Sequence, residues 1–133
     1  MIFEIEKALS GEYIQAGFDI HSIRQNWGEP DDIGNINGFV IYKYNHTEIT
    51  FYKSKIYLLC FYNYKQSKPV RDQMNMTSIL NLLERNNLTC NFQEPSTGDN
   101  MLYLNQGDFN QFIFEMETQI LYSASFKASD FNL

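Results

Sequence analysis

A chain of 133 residues, 44% hydrophobic and 16% aromatic, holds enough apolar material for one buried core and too much for disorder. Its net charge of −6 repels phosphate, which argues against nucleic-acid binding and favours a basic partner. The longest apolar run, Ile56 to Tyr62, is too short to span a bilayer.

In chain order, Ile2, Ile5 and Leu9 follow helical spacing until Ser10-Gly11 ends the run. The opening MIFEIEKALS carries acids early and lacks a basic segment followed by an apolar one, so a cytoplasmic location is expected. A second helix starts at Asp19, which can accept from the free N–H groups of the first turn. It places Ile20, Ile23 and Trp27 on one face and stops at Gly28, with Pro30 blocking continuation. Asp31-Asp32 with Gly34 then reads as a solvated turn. The segment NGFVIYKYNHTEITFYKSKIYLLCFYNYK is rich in β-branched and aromatic residues and reads as three strands, about 38–45, 48–53 and 55–64. Within the third, Ile56, Leu58 and Cys60 are expected on one side and Tyr57, Leu59 and Phe61 on the other. Lys65 to Asn75 reads as a loop. A third helix runs from Thr77 to about Asn86 on a stripe of Ile79, Leu80, Leu82 and Leu83. The tail reads as strands at about 101–105, 110–116 and 119–126.

The predicted fold is α+β in a single domain, residues 1–133. About six antiparallel strands form two meanders, with three helices on one face. Helix followed by three strands occurs twice, which raises an internal repeat with halves 17–66 and 76–127. A shift of 63 residues aligns Phe39 with Leu102, Ile41 with Leu104, Ile49 with Phe112 and Phe51 with Phe114. One extra residue in the second hairpin then aligns Ile56 with Ile120. Glu29-Pro30 and Glu94-Pro95 occupy matching places after a helix.

No sequence motif for catalysis, cofactor or metal binding is found, so no catalytic, cofactor or metal residue is assigned. His21 and His46 lack a Cys or second His at ligand spacing. Cys60 and Cys90 lie in apolar strand contexts and are expected to be free, inert core thiols. Glu29, Asp31 and Asp32 match a calcium loop poorly, because no late acid follows Gly34 and Asn35. What remains is surface. Charge is uneven: residues 1–36 carry −5, residues 37–75 carry +4, and residues 76–133 carry −5. Glu29, Asp31 and Asp32, with Glu94, Asp99, Asp108, Glu115 and Glu117, are the expected contacts for a basic partner, along one edge if the halves correspond. Tyr42, Tyr44 and Tyr52 are the expected aromatic anchors, tyrosine suiting either sheet packing or an interface.

The run IRQNWGEPDD, followed by GFVIYKY and TEITFYKSKIYLLCF and a related second half, resembles small bacterial immunity proteins. These are the inhibitors paired with contact-dependent growth inhibition and other polymorphic toxins. The resemblance lies in element order over most of the chain. It implies a protein that binds one toxin domain, often a basic nuclease, and blocks its active site without chemistry of its own. A monomer or weak dimer is expected, with neither nucleic acid nor membrane as partner. It assigns no individual binding residue. An acidic secretion chaperone and a small-molecule binding module are the competing readings.

Overall fold

The computed structural model describes residues 4–13, 19–65, 68–94 and 98–128. Ile2, Pro95 and the start of the first repeat half lie outside them. The described residues are α+β, and they divide between two compact units, Met1–Phe61 with Phe126–Leu133, and Tyr62–Ser125.

In the first unit, α1 (Ile5–Leu9) precedes α2 (Ile20–Trp27), followed by β1 (Asp32–Ile36), β2 (Phe39–Tyr44), β3 (Thr47–Tyr52) and β4 (Lys55–Tyr62), whose last residue falls in the second unit. The strands lie in the order β1-β2-β3-β4, and the pairings from β1 to β4 are antiparallel. Helix α2 forms where its caps demand. The Asp19 carboxylate accepts from His21 N at 3.1 Å and Ser22 N at 2.9 Å. Gly28 adopts φ 83 at the other end, a left-handed conformation that suits glycine. The helix is tied to the strands at both ends. Ile20 N donates to Ser54 O at 2.8 Å, and the Tyr44 hydroxyl donates to Gly28 O at 2.8 Å.

Strand register fixes which side chains share a face. Tyr42, Ile49 and Leu59 form one row, and Val40, Phe51 and Ile56 another. This is the face α2 covers, with the Arg24 guanidinium 5.3 Å from the Tyr42 ring centroid and Trp27 5.5 Å from Tyr44. Tyr42, Ile49, Phe51, Ile56, Leu59 and Phe61 are buried with Ile23. The expected alternation in the third strand fails at one point. The β3–β4 register shifts between Thr50 and Phe51, so Leu59 and Phe61 join Ile56 on the covered face.

The second unit begins with a short pair, β5 (Tyr64–Lys65) and β6 (Lys68–Pro69), inside the stretch expected to be a loop. Next come α3 (Met76–Arg85), β7 (Asn91–Gln93), β8 (Met101–Gln106), β9 (Asn110–Glu115) and β10 (Leu121–Lys127), whose last two residues fall in the first unit. The order is β10-β9-β8-β7. Helix α3 starts in a reciprocal cap: Asn75 Oδ1 accepts from Ser78 N at 2.9 Å while Asn75 N donates to Ser78 Oγ at 2.9 Å. Its start is joined to that of β10 by Met76 N to Gln119 O, 2.9 Å, and Leu121 N to Met74 O, 2.7 Å. Ile79 and Leu83 are buried, as are Leu104, Phe112, Phe114 and Leu121.

Among the described residues the main strands therefore number eight rather than about six, and the two additions are equivalent: β1 and β7 each follow a helix and precede a predicted meander. β1 replaces the turn expected at Asp31–Gly34. It pairs with β2 through a two-residue turn at Asn37-Gly38, where φ is 49 and 86. That Asn-Gly pair between apolar residues is a strong hairpin signal. The structure also moves the repeat alignment. Tyr42 pairs with Ile49 as Leu104 pairs with Phe112, so Tyr42 matches Leu104 at a shift of 62. Ile49 and Phe112 keep the shift of 63. The first hairpin therefore differs by one residue, a two-residue turn at Asn45-His46 against three residues at 107–109, and the second is also longer in the later half, with 53–54 against 116–120.

Candidate functional site

The three acids after α2 each have a local task. Glu29 Oε2 lies 3.2 Å from Arg24 Nη2 and keeps most of its side chain in water. Asp31 holds the turn after β2: its N donates to Lys43 O at 2.8 Å and its Oδ2 accepts from Asn45 N at 2.7 Å. Asp32 accepts from Ile33 N at 2.9 Å. All three are exposed, but only Glu29 and Asp32 can be recharged without losing a long-range bond.

The three tyrosines separate. Tyr42, 4% exposed, and Tyr44 are on the covered face. Trp27 stands between Tyr13 and Tyr44, edge-on to both with centroids at 5.5 Å. Burial raises the Tyr44 hydroxyl above its ordinary pKa, with the neighbouring Tyr42 adding to it. Tyr52 is on the opposite face. There it touches Phe39 at 5.0 Å, and Phe39 touches Tyr57 at 5.3 Å. Phe39 and Tyr57 are half-buried aromatics that were not among the expected anchors. Their signal was a strand apolar on both sides, which leaves the choice of face undetermined. On this face Ile36, Phe39 and Tyr52 form one row and Asp32, Lys43, Glu48 and Cys60 another.

The acids of the second unit separate too. Glu94 follows Gln93, which pairs with Tyr103, and Glu115 pairs with Met101. Both therefore stand beside the first residues of β8, on its two sides and roughly 10 Å apart. Glu117 follows in the turn after β9. Asp99 precedes β8, where its carboxylate accepts from Met101 N at 3.0 Å and from the Tyr103 hydroxyl at 2.7 Å. That carboxylate bond, first among the causes, pushes the Tyr103 hydroxyl up from its ordinary pKa. Four acids thus gather at one end of β8. Asp108 is in the turn at the other end of this six-residue strand, roughly 17 Å away. Between Arg85 and Lys127 the sequence contains five acids and no lysine, arginine or histidine. Strands β7, β8 and β9 therefore contain no base to offset this acidic end.

Cys60 and Cys90 are not joined in a disulfide, and both are half-buried. Among the described residues, no group of three or more His, Cys, Asp or Glu side chains is placed to hold a metal ion, and no helix is long and apolar enough to cross a membrane. No family model, curated protein or solved structure matches this chain.

Proposed function

We propose that this chain is an immunity-type protein that binds one toxin domain, a basic nuclease, and blocks its active site by steric and electrostatic occlusion. The observation that carries this reading is the gathering of Glu94, Asp99, Glu115 and Glu117 at one end of β8, beside strands β7, β8 and β9, which contain no base. Carboxylates there can occupy the positions that substrate phosphates take on a basic nuclease, and they raise the association rate with it. Asp99 also supports Tyr103, so Glu94, Glu115 and Glu117 are the recognition residues. Exposed Glu29 and Asp32 offer a second acidic contact on the first unit. The inhibitor itself performs no chemistry.

The test is a protection assay against the toxin domain encoded beside this chain's gene. The triple variant Glu94→Lys, Glu115→Lys, Glu117→Lys is expected to lose binding and protection while keeping the wild-type melting temperature. Undiminished protection by that folded variant, or wild-type protein that does not bind the neighbouring toxin, would overturn the proposal.

A further inference from the structure

A groove of about 460 Å³ is cut into the second unit at the Asp108 end of β8, away from the four gathered acids. Its volume falls within the range of small-molecule sites, roughly 300–1,000 Å³. Register aligns Asn91, Asn105 and Gln111 across β7, β8 and β9, on the face opposite buried Leu104 and Phe112. These amides form the polar side of the groove, and Asp108 and Phe109 of the β8–β9 turn complete it.

The amides are partly fixed by one another. Gln111 Nε2 donates to Asn105 Oδ1 at 3.0 Å and to Gln93 Oε1 at 3.5 Å, and Asn105 Nδ2 donates to Gln93 Oε1 at 3.3 Å. Fixing them beforehand reduces the ordering cost when a ligand arrives. Neither Asn91 nor Asp108 engages its side chain in a hydrogen bond with another described residue, so both keep their capacity for a ligand. Phe109 is 42% exposed and offers a ring to stack against.

The chemistry of this set is selective. An amide both donates and accepts, as a hydroxyl does, so a row of amides suits a row of hydroxyls. An exposed aromatic ring suits the C–H-rich face of a pyranose. The Asp108 carboxylate, with no base between Arg85 and Lys127 to offset it, disfavours an anion. The polar lining disfavours a purely apolar ligand. We propose that this groove binds a neutral saccharide of one or two rings, an activity separate from recognition of a basic protein and independent of it.

The test is a titration of the isotope-labelled full chain with glucose, galactose, mannose and N-acetylglucosamine, each to high millimolar concentration, followed by amide NMR shifts. At least one sugar is expected to give saturable shifts at Asn91, Asn105, Gly107 and Gln111. Phe109→Ala and Asp108→Asn, both in an exposed turn, are each expected to weaken that binding roughly fivefold or more while leaving the rest of the spectrum unchanged. The proposal is overturned if no sugar gives saturable shifts in the groove. It is equally overturned if the affinity survives both substitutions.

Discussion

At the scale of single residues, the most constrained polar group is Asn63, which is fully buried. Its Nδ2 donates to Leu121 O at 2.7 Å and Arg71 O at 3.0 Å, and its Oδ1 accepts from Arg71 N at 2.9 Å. One amide thus holds the chain after β6 against the start of β10. Asn63→Leu strands these backbone groups away from water, and a loss of about 3 kcal/mol in urea unfolding is expected. Asn63→Asp is a sharper probe. A carboxylate cannot donate to the two carbonyls, so the folded state favours its protonated form and raises its pKa. The variant's stability is then greatest below the ordinary carboxylate range and falls as pH rises through the raised value, which urea unfolding at several pH values would reveal. Asp19 has the opposite sign. Its carboxyl is held below the usual range, chiefly by the Ser22 backbone N–H. The resulting stabilisation is complete above that range and is lost as pH falls through the depressed value. Asp19→Asn keeps a cap without the charge. Its stability deficit relative to wild type is expected at neutral pH and should close on acidification. Neither site was equally legible in the sequence. Asp19 stands out before an apolar helical stripe, whereas Asn63 is one polar residue in a run of tyrosines and shows its value only once residues 63, 71 and 121 meet.

At the scale of elements, helices were read most closely, because each end carries its own chemistry. Asp19 and Gly28 bound α2 as expected. Helix α3 begins one residue earlier than expected, at Met76, because Asn75 rather than a later residue makes the reciprocal cap with Ser78. Asn75→Ala is expected to cost about 1 kcal/mol in thermal or urea unfolding, with Asn75→Asp close to wild type. The missed strands β1 and β7 are short edges that carry few apolar residues, five and three residues long. Pairing with a neighbour, rather than their own pattern, makes them strands. The β3–β4 turn offers a gain. Lys53 and Ser54 both adopt positive φ, 50 and 67, without a glycine. Left-handed backbone costs a side-chain-bearing residue roughly 1 kcal/mol. Ser54→Gly relieves it while preserving the carbonyl that accepts from Ile20 N. A rise of a few degrees in melting temperature is expected, and a fall would show that the serine side chain makes a contribution of its own.

At the scale of the whole chain, composition forecast acidity but not its arrangement. The expected partner acids divide by structural duty, and that division comes from strand register. Asp31 and Asp99 are bound to backbone N–H groups, Asp108 is remote from the other acids of its unit, and Glu94, Glu115 and Glu117 collect beside the start of β8. The alternating strands left the face of each tyrosine open, since a one-residue slip inverts every side chain. Net charge also conceals a segregation. The second unit, Tyr62–Ser125, has seven acids and four bases, but its bases all precede residue 86. A concentrated patch steers a partner more strongly than the same charge dispersed, and it does so mainly through the encounter rate. If the neighbouring toxin domain is the basic nuclease proposed, association followed by stopped-flow fluorescence is expected to slow at least roughly tenfold between low salt and high salt, where the screening length contracts to a few ångströms. The triple lysine variant should start slow and lose most of that salt dependence. Association that is fast and indifferent to salt in both proteins would place the recognition elsewhere, on the aromatic face of Phe39, Tyr52 and Tyr57, where apolar contact rather than charge would set the rate.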